Sequence, residues 1–358
     1  MKYALEVRNM LCDIHNHIGK NMNADQLFDY YTRLKNANGI DRNCILSIPV
    51  SPSAKYYHTQ NLLALQLKDM LSPYSSAFVG LVHGENAEDY LTQLKKGLAM
   101  GFEGLKILES HPSLQKTLNL RISDERLDAT FGYAEENGIP VLLHVADPEE
   151  SWDINTVDEY ALTHGRFYGA PGSLSKEDYY SDVEKLLSKH PNLKAIFAHF
   201  YFLSADIDRA AALFEKYPNI GFDLTPGKEM YPNFSKDKAK TKAFFERYAD
   251  RLYFGTDVND TEMPNYHSSL YTLVLTALDS NEDFDWGKYR NCAGLGLSDT
   301  AKEKIKSGNF IRLLGKTPKP LDYALINEEI ARLEGISDTF SEDDKQMLLS
   351  LKQYFENK

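Results

Sequence analysis

Apolar runs bounded by turn residues recur along the chain. They predict eight strands, at 10–15, 44–50, 77–83, 104–108, 141–145, 194–199, 220–224 and 252–256. Several are continuously apolar instead of alternating, the pattern of strands buried on both faces of a parallel sheet. Stretches with helical spacing of apolar positions fall between them, at 24–36, 61–71, 87–100, 123–136, 176–189, 204–217 and 234–248. Strand followed by helix, repeated about eight times over roughly 250–300 residues, predicts an α/β chain folded as a (β/α)8 TIM barrel. The prolines of Lys316-Thr317-Pro318-Lys319-Pro320 set a boundary. Residues 1–316 form the predicted barrel. Residues 317–358, helical in pattern at 323–334 and 342–355, form a C-terminal helical extension that packs on the barrel or serves as a dimer contact.

A barrel of this kind carries its chemistry at the C-terminal ends of its strands. The segment Asp13-Ile14-His15-Asn16-His17 closes the first strand, and residues two apart on a strand share a face. His15 and His17 therefore project together. Lys106 falls near the end of the fourth strand, His144 ends the fifth, His199 the sixth, and Asp257 follows the eighth. Taken singly, each has an ordinary structural role: a strand-end histidine, a lysine with its stem on apolar surface, an aspartate at a turn or helix cap. Together at one rim they point to a metal site.

This order of His-x-His, Lys, His, His and Asp resembles the amidohydrolase superfamily of metal-dependent barrel enzymes. Its amidohydrolase 2 branch, which includes decarboxylases and lactone hydrolases, is the most similar. Local patterns carry the resemblance from Leu11 to Gly315. They are Gly101-Phe102-Glu103-Gly104-Leu105-Lys106 entering strand four, Ala134 to His144 leading through strand five, Gly255-Thr256-Asp257 at strand eight, and the closing helices within 297–315. Nothing in that pattern corresponds to residues 316–358.

The resemblance implies a divalent transition metal, zinc above all, held by His15, His17, His144 and Asp257 with one position left for water. The ion lowers the pKa of water from about 15.7 toward about 7. Asp257 then accepts the water's proton, and His199 polarises a substrate carbonyl or shuttles a proton. The superfamily's other arrangement holds two ions, bridged by a carboxylated Lys106, with His144 and His199 on the second. An uncarboxylated Lys106 is instead a cation that attracts an anionic substrate. The expected reaction is hydrolysis of an amide, lactone or ester of a small organic acid. The alternatives are non-oxidative decarboxylation of an aromatic or unsaturated acid, and a non-catalytic metal-binding barrel.

Composition adds exclusions more than chemistry. A net charge of −12 over 358 residues argues against a nucleic-acid partner. No apolar run of about 20 residues predicts a membrane span, and no secretory leader is visible at the N-terminus. Three cysteines, Cys12, Cys44 and Cys292, suit neither a disulfide framework nor a zinc ribbon. Buried thiols in a reducing cytoplasm are the consistent expectation.

The expected partner is a small-molecule substrate, a carboxylate if Arg166 pairs with it bidentately. Arg166 lies with Trp152, His164, Phe167 and Tyr168 in a long loop after strand five, and the loop 51–58 after strand two is a second wall. Glu85 is a further polar candidate. His83 and His111 stand near strand ends, His58, His164 and His267 fall in loops that could cover the site, and His190 reads as a surface helix terminus.

Overall fold

A computed structural model describes residues 10–19, 22–51, 56–227, 229–259, 264–287 and 289–358. Eight strands follow one another around a barrel: β1 (Cys12–His17), β2 (Arg42–Leu46), β3 (Ser75–Gly80), β4 (Gly104–Ser110), β5 (Val141–Val145), β6 (Ala195–Phe197), β7 (Ile220–Asp223) and β8 (Leu252–Tyr253). Each pairs in parallel with the next. Backbone bonds then close the ring: the amides of Ile14 and His17 donate to the carbonyls of Phe254 and Val258 at 3.0 and 2.7 Å, and the Asp257 amide donates to the His15 carbonyl at 2.8 Å. The predicted (β/α)8 TIM barrel is therefore the observed fold.

Two cores follow from the parity of the strands. Residues such as Ile45, Val79, Leu105, Ile107 and Leu143 face outward and pack under the helices. Cys12, Ile14, Cys44, Leu46, Phe78, Leu142 and Ile196 fill the barrel interior, where Phe310 and Leu314 of the helix Asn309–Leu314 join them. Arg42, at the start of β2, lies over the Phe310 ring at 5.4 Å, so this end of the barrel is closed and the strands' other ends are left for chemistry. All three cysteines are free and buried. No helix among the described residues is long and apolar enough to cross a membrane.

Several boundaries differ from the sequence pattern. β2 begins two residues early and stops at Leu46, because Pro49 has no amide to continue a ladder. The predicted helix 234–248 is two helices, Met230–Lys236 and Lys238–Arg247, since the Asp237 side chain accepts the Lys240 amide and starts a new N-terminus. The helix Pro264–Asp279 and the hairpin of β9 (Phe284–Trp286) and β10 (Tyr289–Cys292) have no counterpart in the predicted elements. Residues 52–55 of the loop after β2 lie outside the described residues.

The C-terminal helices Tyr323–Glu334 and Glu342–Phe355 bury Ile326, Ile330, Leu348, Leu351 and Phe355 in the same core as the barrel helices. Asp69 fastens both: it accepts the Tyr323 and Tyr354 hydroxyls at 2.8 and 2.7 Å and pairs with Lys358 Nζ at 2.9 Å. Asp69→Ala strands these donors and is expected to cost about 1–3 kcal/mol. Amide hydrogen exchange should speed up across 323–355 while the strands stay protected. Unchanged exchange there would show that the apolar contacts alone hold the extension.

Candidate active site

A β-bulge sets the floor of the site. β1 and β2 run in register at Asp13↔Asn43 and again at Asn16↔Ile45, so β1 carries one extra residue between them. Cys12 and Ile14 point into the barrel, and after the bulge His15 and His17 do so as well. Buried polar contacts lock the bulge from behind. Asp13 accepts the His15 amide at 3.0 Å and Asn16 Nδ2 at 2.7 Å, and the Thr256 hydroxyl also donates to Asp13. Burial raises the Asp13 pKa to about 6.

Both imidazoles have their tautomers set by acceptors on the far side. His15 Nδ1 donates to Asp223 Oδ2 at 2.7 Å, and His17 Nδ1 donates to the Leu46 carbonyl at 3.1 Å. Their Nε2 lone pairs consequently face each other, 2.9 Å apart. Asp257 Oδ1 lies 3.2 Å from His17 Nε2 and 3.5 Å from His15 Nε2. Three electron-pair donors thus converge with no proton of their own between them, an arrangement that calls for a cation. Lys106 is buried beneath and donates to His15 Nε2 at 3.3 Å; burial lowers its pKa to about 8.

The Asp257 backbone adopts φ 59°, a left-handed conformation that aspartate tolerates better than most residues. Gly255 permits the close approach, because a Cβ there would meet Thr225 Oγ1 at 2.6 Å and His15 Cβ at 3.2 Å. The Asp257 side chain is 39% exposed, toward the pocket. Burial opposes its charge, but the imidazoles of His17 and His15 set against it hold its pKa well below the usual carboxylate range.

The other predicted residues are arranged as a row. The His199 ring lies 5.7 Å from His15 and 4.9 Å from His144, so His199 stands between the β1 pair and His144. His144 Nε2 donates to the Ala146 carbonyl at 3.1 Å and lies 3.7 Å from Asp147 Oδ1. Among the described residues, the donor atoms close enough to share an ion thus form two groups, His15, His17 and Asp257 in one and His111, His144 and Asp147 in the other. His199 donates its backbone amide to Asp223 at 2.8 Å, and its Nδ1 donates to the Thr225 carbonyl at 3.3 Å. Burial lowers the pKa of both His144 and His199 to about 4, so both are neutral imidazoles.

These groups open into a pocket of about 850 Å³, lined among others by His17, His111, His144, Asp147, His199, Glu229 and Asp257. Arg166 lines its wall and is exposed, with its guanidinium 5.9 Å from the Tyr160 ring centre. Glu85 is exposed and is not part of that wall. His83 is buried against Glu109 at 2.7 Å. His58 stacks on Phe340, His164 on Tyr160, and His267 bonds to Tyr30. His190 ends a helix as predicted but is buried, beside Glu135.

The amidohydrolase family profile (Amidohydro_2) matches residues 54–316. The chain belongs to the amidohydrolase family. The His-x-His of β1 lies outside the matched residues, so its place in the site comes from the fold. Solved structures resemble this family member in fold. IDCase from Metarhizium anisopliae superimposes with a TM-score of 0.53 at 14% identity, over 85% of this chain and 97% of that one. A dihydroxybenzoic acid decarboxylase from Polaromonas, with bound manganese and the inhibitor 2-nitroresorcinol, gives 0.52 at 14%, over 85% and 96%. The 2,6-dihydroxybenzoate decarboxylase from Rhizobium gives 0.50 at 15%, over 85% and 98%. No curated protein matches the sequence.

Three carboxylates of this amidohydrolase site were not singled out in the sequence. Asp223 is the last residue of β7, a strand end to which the sequence pattern assigns no reactive residue. Asp147 lies three residues beyond His144, where it also accepts the Tyr168 hydroxyl at 2.8 Å. Glu229 follows β7 in a segment with no motif to mark it.

Proposed function

We propose that this protein is a metal-dependent hydrolase that uses water to open an amide, lactone or ester of a small organic molecule. One observation carries the reading: the His15 and His17 Nε2 lone pairs and the Asp257 carboxylate converge at the floor of the pocket, with the far nitrogens of both imidazoles already bonded. The donor set of two imidazoles and a carboxylate fits zinc, or manganese as in the Polaromonas structure. A divalent cation bound there lowers the pKa of water and polarises a carbonyl. Asp257, anionic and open to the pocket, takes the proton from the attacking water. His199, neutral and with Nδ1 committed to Thr225, keeps Nε2 free of a proton to relay one to the leaving group. His144 joins the His15–His17–Asp257 set if its ring turns away from Ala146 and Asp147.

Decarboxylation is the second reading, supported by the likeness in fold to two decarboxylases. Product analysis separates the two. A panel of lactones, esters and amides should give ring-opened or cleaved acids without carbon dioxide, whereas carbon dioxide from an aromatic acid with no hydrolysis would reverse the assignment. Free, buried cysteines support a reducing cytoplasmic setting.

Lys106 distinguishes one ion from two. Its Nζ lies 3.3 Å from His15 Nε2, and the one-ion reading takes it as an ammonium that draws the substrate in. Lys106→Ala is expected to raise KM and leave the metal-to-protein ratio near one, read by elemental analysis. A ratio near two in the unaltered protein, falling in the variant, would establish the bridged pair instead.

A further inference from the structure

Both carboxylate oxygens of Glu229 are buried and, beyond a weak interaction with the residue's own backbone amide, meet no hydrogen-bond partner among the described residues. The residue lines the pocket from the segment after β7. Its side chain lies over Gly227, where a Cβ would come within 2.9 Å of Oε2 and 3.0 Å of Oε1, so the glycine is what leaves the carboxylate its place. A carboxylate out of water with no partner is costly, and a native fold retains one where something else completes it. Burial pushes its pKa up to about 7. The nearby cation Lys176 offsets this only in part and makes no ion pair with it, because Nζ is engaged by Glu149 at 3.2 Å and by the Phe202 carbonyl at 3.3 Å.

The surrounding wall has the same bias. Glu150 and Asp158 line it with Glu229, against Arg166 as the one cation among the described lining residues. Tyr266 and Tyr289 add ring faces on the side of the hairpin. Carboxylates beside aromatic rings bind cations through charge and through the ring quadrupole. The wall accordingly repels the organic acid that Arg166 alone would suggest.

We propose that Glu229 is a specificity residue that receives a cationic nitrogen, an ammonium or amidinium, on the non-reacting end of the substrate. The proposal rests on this pocket being the substrate site. It needs no turnover, which allows it to be tested apart from the hydrolase reading.

The test is calorimetric titration of the full-length, metal-loaded protein with four chains of matched length: aminohexanamide, hexanamide, hydroxyhexanamide and adipamic acid. A charge-assisted hydrogen bond predicts that the amine binds about ten-fold or more tightly than the uncharged chains, with the acid weakest. Glu229→Gln should abolish that advantage. It removes a buried charge and keeps the shape, so its thermal midpoint should hold or rise, whereas a purely structural glutamate would lower it. Gly227→Ala, which crowds the carboxylate without changing any charge, should cut the advantage in the same way. The proposal is overturned if adipamic acid or hydroxyhexanamide binds as tightly as the amine, if both variants keep the preference, or if no chain binds. Nitrophenyl esters of the same chains report on hydrolysis separately. An amine preference without ester cleavage would sink the hydrolase reading alone, and cleavage of all the esters with no amine preference would sink the role of Glu229 alone.

Discussion

Asp257→Asn is expected to lower turnover by about 10²–10⁴, the range for a lost general base. The substitution is well isolated by the structure. Asparagine has the same size and keeps one oxygen at the position of Oδ1, 3.2 Å from His17 Nε2, where it can still face a cation. It also tolerates the left-handed backbone at φ 59°, so the closure of β8 onto β1 through the Asp257 amide should survive. What disappears is the charge that accepts a proton. Metal content should therefore fall less than turnover does. The two are measured side by side: kcat with saturating substrate, and bound metal after gel filtration. If the rate falls only in proportion to the metal, Asp257 is a ligand without a proton-transfer role. Near-full activity in the variant would exclude both.

The fold was legible because burial writes itself into a parallel barrel. Strands such as Val141–Val145 are apolar on both faces, a pattern shared with doubly wound sheets, and eight strand–helix units in succession point to the barrel. The candidate site was legible where reactive side chains coincided with strand ends, as at His15, His17, His199 and Asp257, which the fold brings to one pocket. Three features were not. The bulge in β1 leaves no mark in the sequence, yet it is what turns His15 inward after Ile14. Asp223 looks like any strand-end acid until the fold sets it 2.7 Å from His15, across 208 residues of chain. The position of His144 depends on a contest between the β1 group and its own neighbour Asp147, which spacing does not decide. Helices capped from within, as at Asp237, also escape a reading by periodicity, because one side chain outweighs an unbroken apolar pattern.

His15→Ala should abolish stoichiometric metal binding and leave the barrel folded. His15 supplies one of the two converging imidazole nitrogens, and the alanine variant leaves only His17 and Asp257 of that group. The cost in stability is confined to what His15 satisfied. Asp223 Oδ2 loses its partner in a fully buried place, which costs about 1–3 kcal/mol. Its other oxygen still accepts the His199 and Thr225 amides at 2.8 and 3.2 Å, so the ends of β6 and β7 remain tied. Asp223→Asn separates the two effects. It keeps His15 and weakens only the acceptor that orients it, and loss of such an outer partner lowers metal affinity roughly 10–100-fold without removing the site. Zinc titration should then rank unaltered protein above Asp223→Asn and Asp223→Asn above His15→Ala, with native circular dichroism throughout. Full zinc binding by His15→Ala would move the metal to the His111, His144 and Asp147 group, and with it the reacting end of the substrate.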